Sequence, residues 1–442
     1  MTTGSILPQI MKFSVPLLLG NLFQQTYNLV DTAIVGRTLG ARALAAVGSS
    51  TSIQFLVMGF CIGISLGFTI PVGQRFGAHD YAGMHRYEYS GGILSAVFAL
   101  TITLLTTILC SHILRILQVP DEIFHDAWIY LIIIFCEIPF TIMYNYLAGL
   151  MRAIGDSRTP FLYLAVASVL NIVLDCLFIM SFHWDVAGAA IATVLSQALS
   201  AFLCLYSVTH RYEVLHVEPA ERHYGAREGR SMMGIGIPMG LQYSITAIGS
   251  MVMQSANNSL GTEYVSAFTA GTKLKQFLLS PFDAFATAVS TFVAQNFGAR
   301  RTDRIREGIF KGTLVSVLYG AVFGLFAMVL GGRELCLLFL DAENTVELDL
   351  AALYLRRMGY CLWVLGILNV CRMSIQGLGN ARKAMMSGVL EMIARTIVSV
   401  FFVGSFGYDA ITWADQVAWF AATAFVLPMV MYSIRNAEKN FK

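Results

Sequence analysis

Twelve times along this chain the sequence runs for the length of a bilayer crossing with almost no charge. The runs cover residues 12–35, 45–72, 90–112, 127–151, 160–182, 187–209, 231–256, 264–294, 309–331, 350–376, 385–406 and 411–434. A spanning helix needs roughly 20 predominantly apolar residues, and a dozen such runs in 442 residues leave no room for a soluble fold. Composition agrees, with 56% hydrophobic and only 13% charged residues. The expected fold is all-α and polytopic, with twelve transmembrane helices. The first run carries Asn21, Gln24, Asn28 and Asp31 and lacks a small-residue cleavage site, so it reads as helix 1 and not as a cleavable signal.

The chain also repeats itself. GQRFGA at 73–78 recurs as AQNFGA at 294–299, which puts Gln74 and Gln295 at an offset of 295 − 74 = 221, half of 442. Leu39-Gly40 recurs as Leu260-Gly261, Gly91 as Gly312, and Gly155-Asp156-x-Arg158 as Gly379-Asn380-x-Arg382 at a slightly larger offset. Six helices per half keep both halves in one orientation, predicting two parallel six-helix pseudo-symmetric lobes. The expected layout is a lobe at 1–210, a charged linker at 211–230 and a second lobe at 231–442. Lobes of this kind enclose a cavity and rock to alternate access.

Basic residues set the orientation. With both termini cytoplasmic, the inner loops collect Arg75, Arg86, Arg152, Arg158, Arg211, Arg222, Arg227, Arg230, Arg300, Arg301, Arg304, Arg306, Lys311, Arg382 and Lys383, and the outer loops hold only Arg37, Arg42, Arg115 and Arg333. A net charge of +2 is too small to point to nucleic acid. The eight Cys show no CxxC spacing, which argues against a disulfide framework or a thiolate metal site. No metal-ligand spacing, nucleophile elbow or phosphate loop marks an enzyme.

Ionisable groups inside a membrane are costly and therefore candidates for function. In helix 1, Asn21, Gln24, Asn28 and Asp31 share one helical face, expected to look into the protein. In helix 5, Ser168, Asn171 and Asp175 form a second polar stripe, and in helix 6 Thr193, Gln197 and Ser200 form a third. Asp31 and Asp175 with amide and hydroxyl neighbours could hold a proton or Na⁺ and exchange it for a cationic substrate. The competing reading is that Asp31 caps helix 1 near Gly36 or pairs with an arginine.

In the second half the aligned places hold Val252 or Met253, Arg395 and Ser399, so any ion site belongs to the first half. Glu391 and Arg395, four residues apart, read as a self-neutralising pair, with substrate contact as the alternative. Glu137, Arg372, Lys273, Lys275 and Asp283 are candidates for pairs between lobes. Met251 and Met253 suit an adaptable lining for apolar ligands, or plain packing. Pro16 and Pro238 stand near the starts of helices 1 and 7, and Pro139 interrupts helix 4.

The segment VDTAIVGRTLGARALAAVG, the QRFGA/QNFGA pair and the succession RAIGDSRTP then NIVLD resemble the multidrug and toxic compound extrusion (MATE) family, within a wider flippase superfamily (MOP). The resemblance covers essentially the whole chain. It implies a secondary antiporter of the bacterial inner membrane, with no cofactor, exporting amphipathic and organic cationic compounds in exchange for H⁺ or Na⁺. Carried over residue by residue, the family's ion site falls on Asp31, Asn171 and Asp175, where Na⁺ would sit, with Thr193 beside it. Gln24, Asn28, Gln197, Met251, Met253, Glu391 and Arg395 are the substrate-cavity candidates. The C-lobe acids of some branches are missing around Gln242–Thr246 and Leu365. A monomer in the lipid bilayer is expected, and a lipid or lipid-linked oligosaccharide flippase is the alternative.

Overall fold

The computed structural model of the chain describes residues 1–117, 119–337 and 345–441 and contains no strand among them. Twelve helices are long and apolar enough to cross a membrane: α1 Ile6–Thr38, α2 Ala45–Gly77, α3 Tyr81–Ile116, α4 Asp121–Ala153, α5 Arg158–Ser181, α6 Asp185–His210, α7 Ala226–Asn258, α8 Thr262–Gly298, α9 Thr302–Val329, α10 Thr345–Gly377, α11 Ala381–Phe406 and α12 Tyr408–Lys439. One expected run falls on each helix, the fifth and ninth runs ending one and two residues past Ser181 and Val329. They run 24 to 37 residues, about 36–55 Å long against a hydrocarbon core of about 30 Å. Apolarity marks only the part inside the hydrocarbon, so the helices overrun the expected ends.

Four helices are irregular, α9 among them, which passes into a π turn at Ala327–Gly331. The helical ladder of α4 breaks at Cys136–Glu137, immediately before Pro139, which supplies no N–H to continue it. α5 ends in a wide π turn at Cys176–Ser181, and α11 contains its counterpart at Val398–Phe402. Pro16 and Pro238 lie well inside α1 and α7, not in their first turns, so each removes an intrahelical hydrogen bond.

By packing, the chain divides into two compact units: Val15–Ser244, and Met1–Ser14 with Ile245–Lys442. The divisions fall inside α1 and α7, and the 211–230 stretch packs with the first unit. Each unit is built on close helix contacts through glycine. A Cβ on Gly67 of α2 would stand 2.4 Å from the Gly236 Cα of α7, and one on Gly324 of α9 2.4 Å from the Gly359 carbonyl of α10. Small residues let helix backbones approach where lipid offers no hydrophobic drive.

The duplication is visible in backbone conformation. His79 and Arg300, 221 residues apart, both adopt positive φ (56° and 55°), a rare state for non-glycine residues. Each sits in the same reversed end: Asp80 N–H donates to Arg75 C=O at 3.0 Å, and Arg301 N–H to Asn296 C=O at 2.9 Å. The side chains then diverge. Asp80 caps α3, its Oδ1 accepting the Gly83 N–H at 2.9 Å and its Oδ2 the Arg75 guanidinium at 2.8 Å.

Two consequences can be measured. Gly67→Val is expected to abolish a monodisperse peak in size-exclusion chromatography, whereas Gly48→Ala, where a Cβ meets nothing within 4 Å, elutes normally; a normal G67V peak contradicts the close contact. Asp80→Ala is expected to cost about 1 kcal/mol. The Gly83 N–H and then Arg75 hold the Asp80 carboxyl below its ordinary value. Its contribution is therefore complete above about pH 4 and lost as pH falls through the depressed value, so the gap between wild type and D80A in thermal unfolding should close at strongly acid pH.

Candidate functional site

Within the Val15–Ser244 unit, α1 carries Asp31 and α5 carries Asn171 and Asp175 one turn apart, just before the π turn that widens the end of α5. Such turns recur at functional sites because they re-aim side chains within a helix. Asp175 is fully buried, Asn171 nearly so, and Asp31 half-buried. The Asp31 and Asp175 carboxyls are near enough for each to act on the other electrostatically. Yet Oδ1 of Asp31, both oxygens of Asp175 and both amide atoms of Asn171 have no protein partner. Ionised carboxylates offer acceptors only, so two of them facing each other satisfy nothing and repel.

No ion pair among the described residues reaches Asp31 or Asp175. α1 also runs on to Thr38. The alternative of an arginine partner or a helix cap for Asp31 is thereby removed. Glu137, at the break in α4, was a candidate for a pair between lobes; instead it accepts the Thr141 hydroxyl at 2.9 Å and lies within electrostatic reach of Tyr27 and Tyr130, as do Asp31 and Asp175. This unit therefore holds three acids and two tyrosine hydroxyls within electrostatic reach of one another, Asp175, Glu137 and Tyr130 buried and Asp31 and Tyr27 half-buried.

Beside it, Ser168 and Asn171 of α5, Thr193 and Gln197 of α6 and Tyr27 of α1 border a cavity of ≈ 10 Å³, room for about one water-sized particle. The Thr193 hydroxyl donates to Ala189 C=O at 3.1 Å. Gln24 is half-buried. Asn28, expected to face inward, is exposed.

The second unit treats its charges differently. Glu391 and Arg395 on α11 do not form the expected i, i+4 bridge. Glu391 accepts from Arg372 Nη2 of α10 at 2.8 Å, and Arg395 Nε donates to Asp415 Oδ1 of α12 at 2.8 Å. Both face inward, where a side chain reaches across to a neighbouring helix more readily than along its own. Asp415 also accepts Lys275 of α8 and, at 3.0 Å, the Tyr354 hydroxyl of α10. Arg372 and Lys275, expected to pair between lobes, thus pair inside one unit, as does exposed Asp283, which accepts from Asn369 at 3.2 Å. Met253 is buried core and Met251 half-buried. Sequence reasoning missed Asp415 and Tyr354; the signal was there, since Asp415 is the one charge in the apolar run 411–434.

Asp415→Asn leaves two buried cations short of a counter-charge. The expected cost is about 3–5 kcal/mol, read as a large drop in the thermal midpoint of the purified protein, and an unchanged midpoint would contradict the network.

Three comparisons place the chain among known proteins. The family model described as MatE matches residues 16–177 and 238–401. The probable multidrug resistance protein YpnP of Bacillus subtilis (strain 168) is 34% identical over 306 residues, 69% of this chain and 68% of that one. The multidrug export protein MepA of Staphylococcus haemolyticus (strain JCSC1435) is 25% identical over 440 residues, 98% and 95% of the two chains. Among solved structures, the crystal structure of MATE in complex with MaL6 superposes with a TM-score of 0.92 at 21% identity, covering 99% of this chain and 98% of that one.

Proposed function

Since the chain belongs to the MatE family and is a multi-pass membrane transporter with no enzymatic role, we propose that it is a secondary antiporter exporting amphipathic, often cationic compounds in exchange for H⁺ or Na⁺. The names of its relatives support the drug-export half of this reading. The coupling half is carried by one observation: the half-buried Asp31 and fully buried Asp175 carboxyls lie within electrostatic reach of each other, and their enclosed oxygens have no partner. Facing carboxylates in one site cannot both stay ionised unless a cation lies with them. The cation can be a proton shared between them. It can equally be Na⁺, a hard ion that takes oxygen donors, for which Asp31 Oδ1, Asp175 Oδ1 and Oδ2 and Asn171 Oδ1 all stand free, with Thr193 nearby.

In this mechanism the empty site is the strained one. Cation entry relieves the repulsion, lets α1 draw toward α5 and bends α1 at Pro16, changing its face along Gln24 and Asn28. Release of the cation returns the helix. Ion and substrate thereby alternate because each favours a different shape of α1. The chain would act as a monomer in the bacterial inner membrane with both termini cytoplasmic. A flippase for an anionic headgroup finds less support, because Arg372, Arg395 and Lys275 already have carboxylate partners.

Uptake of a fluorescent organic cation into inverted vesicles tests the reading. Uptake should fail when the coupling gradient, of H⁺ or of Na⁺, is dissipated, and should persist when the other is. Asp31→Asn and Asp175→Asn should each abolish it at normal expression. Undiminished transport in both variants, or transport that survives loss of both gradients, would sink the coupling site.

A further inference from the structure

Glu88 lies on α3 in the Val15–Ser244 unit and takes no part in the acid cluster. It is 7% exposed, its Oε2 is enclosed without a hydrogen-bond partner, and no ion pair among the described residues reaches it. The basic side chains on the preceding turn are engaged elsewhere: His85 meets Glu221 at 2.7 Å, and Arg86 faces Glu228 at 3.9 Å. An unpaired buried carboxylate is expensive. The scaffold does not require it, since the repeat puts Ile309 of α9, itself buried, at the same place in the second half (309 − 88 = 221).

Glu88 borders an open groove of ≈ 350 Å³ whose walls are mostly apolar, from Ile93 of α3, Leu147 and Leu150 of α4, Val208 of α6 and Val217. That volume is at the lower end of the about 300–1,000 Å³ typical of small-molecule sites. The position of Glu88 is fixed by its own backbone, whose carbonyl accepts the Tyr146 hydroxyl at 2.5 Å. Gly92, one turn further on, also borders the cavity, and a Cβ there would meet nothing within 4 Å.

We propose that this groove is a binding site for an amphipathic amine, whose ammonium group pairs with Glu88 while its hydrocarbon body lies along Ile93, Leu147 and Val208. Charge and shape both specify this class: a cationic donor for one buried carboxylate, and an apolar body for the walls. The site shares no residue with the Asp31–Asp175 pair and does not depend on the coupling reading. A free amphipathic amine and the headgroup of phosphatidylethanolamine present the same chemistry.

The test is photolabelling of the full-length protein in phosphatidylcholine nanodiscs with a diazirine-bearing decylamine, the adducts mapped by mass spectrometry. Labelling is expected on peptides containing Ile93, Leu147 or Val217, displaced by decylammonium but not by decanol. Glu88→Gln should lower it about tenfold, as befits a lost charge-assisted contact. Gly92→Leu fills the cavity and leaves the carboxylate intact, so it should lower labelling equally and decides the matter if E88Q fails to fold. Adding phosphatidylethanolamine to the nanodiscs assigns the natural occupant: reduced labelling points to the lipid headgroup, unchanged labelling to a free amine. Labelling that persists in folded E88Q or G92L, or that decanol displaces as well as decylammonium does, overturns the proposal.

Discussion

Hydrocarbon offers no hydrogen bonds, and that constraint stands behind every other feature of this chain. Each backbone amide at membrane depth must find a carbonyl within its own helix, which turns twelve apolar runs into twelve helices and leaves packing to shape. Because lipid tails are as apolar as leucine, helices gain by approaching closely, and glycines at 67, 236, 324 and 359 permit it. Deviations from the regular ladder are then confined to a few places. The break at Cys136–Glu137 and the π turn after Asp175 are two of them, and both adjoin the buried acids.

The same constraint applies to charge, and the two units answer it in opposite ways. In one, Asp415 is surrounded by Lys275, Arg395 and Tyr354, and Glu391 by Arg372. That arrangement leaves its acids with nothing to gain from an outside cation. In the other, Asp31, Asp175 and Glu88 have no basic partner among the described residues. An acid that is already paired inside the fold belongs to the architecture, whereas an acid without a partner in the fold is where the proposed cation would act. The asymmetry between the repeats is therefore one of completed and uncompleted electrostatics on a shared frame.

Much of this was legible in the residues. Spans, duplication and the polar stripes of α1, α5 and α6 all follow from periodicity and spacing, which are local. Pairing was not local, and there the reading failed. Lys275 and Asp415 are 140 positions apart, Tyr354 and Asp415 61, and no pattern within one helix announces them. Glu391 and Arg395 looked like partners because i, i+4 spacing brings surface side chains together; on a buried face the neighbouring helix is the nearer target. Asp415 escaped notice because comparing halves asks only whether an acid survives at the aligned place. A compensating acid on a different helix is invisible to that comparison.

The division of the chain inside α1 and α7 carries a statement about ancestry. Residues 1–14 pack with the second half, while 226–244, which the 221-residue offset aligns with 5–23, pack with the first. Each half thus lends its opening segment to the other. Two separate half-length chains built on this plan would form a dimer by mutual exchange of their N-terminal segments, a low-cost route to association between identical protomers. Joining such a pair end to end preserves the exchange and frees the two copies to differ, so that one could keep lone acids while the other surrounded Glu391 and Asp415 with cations.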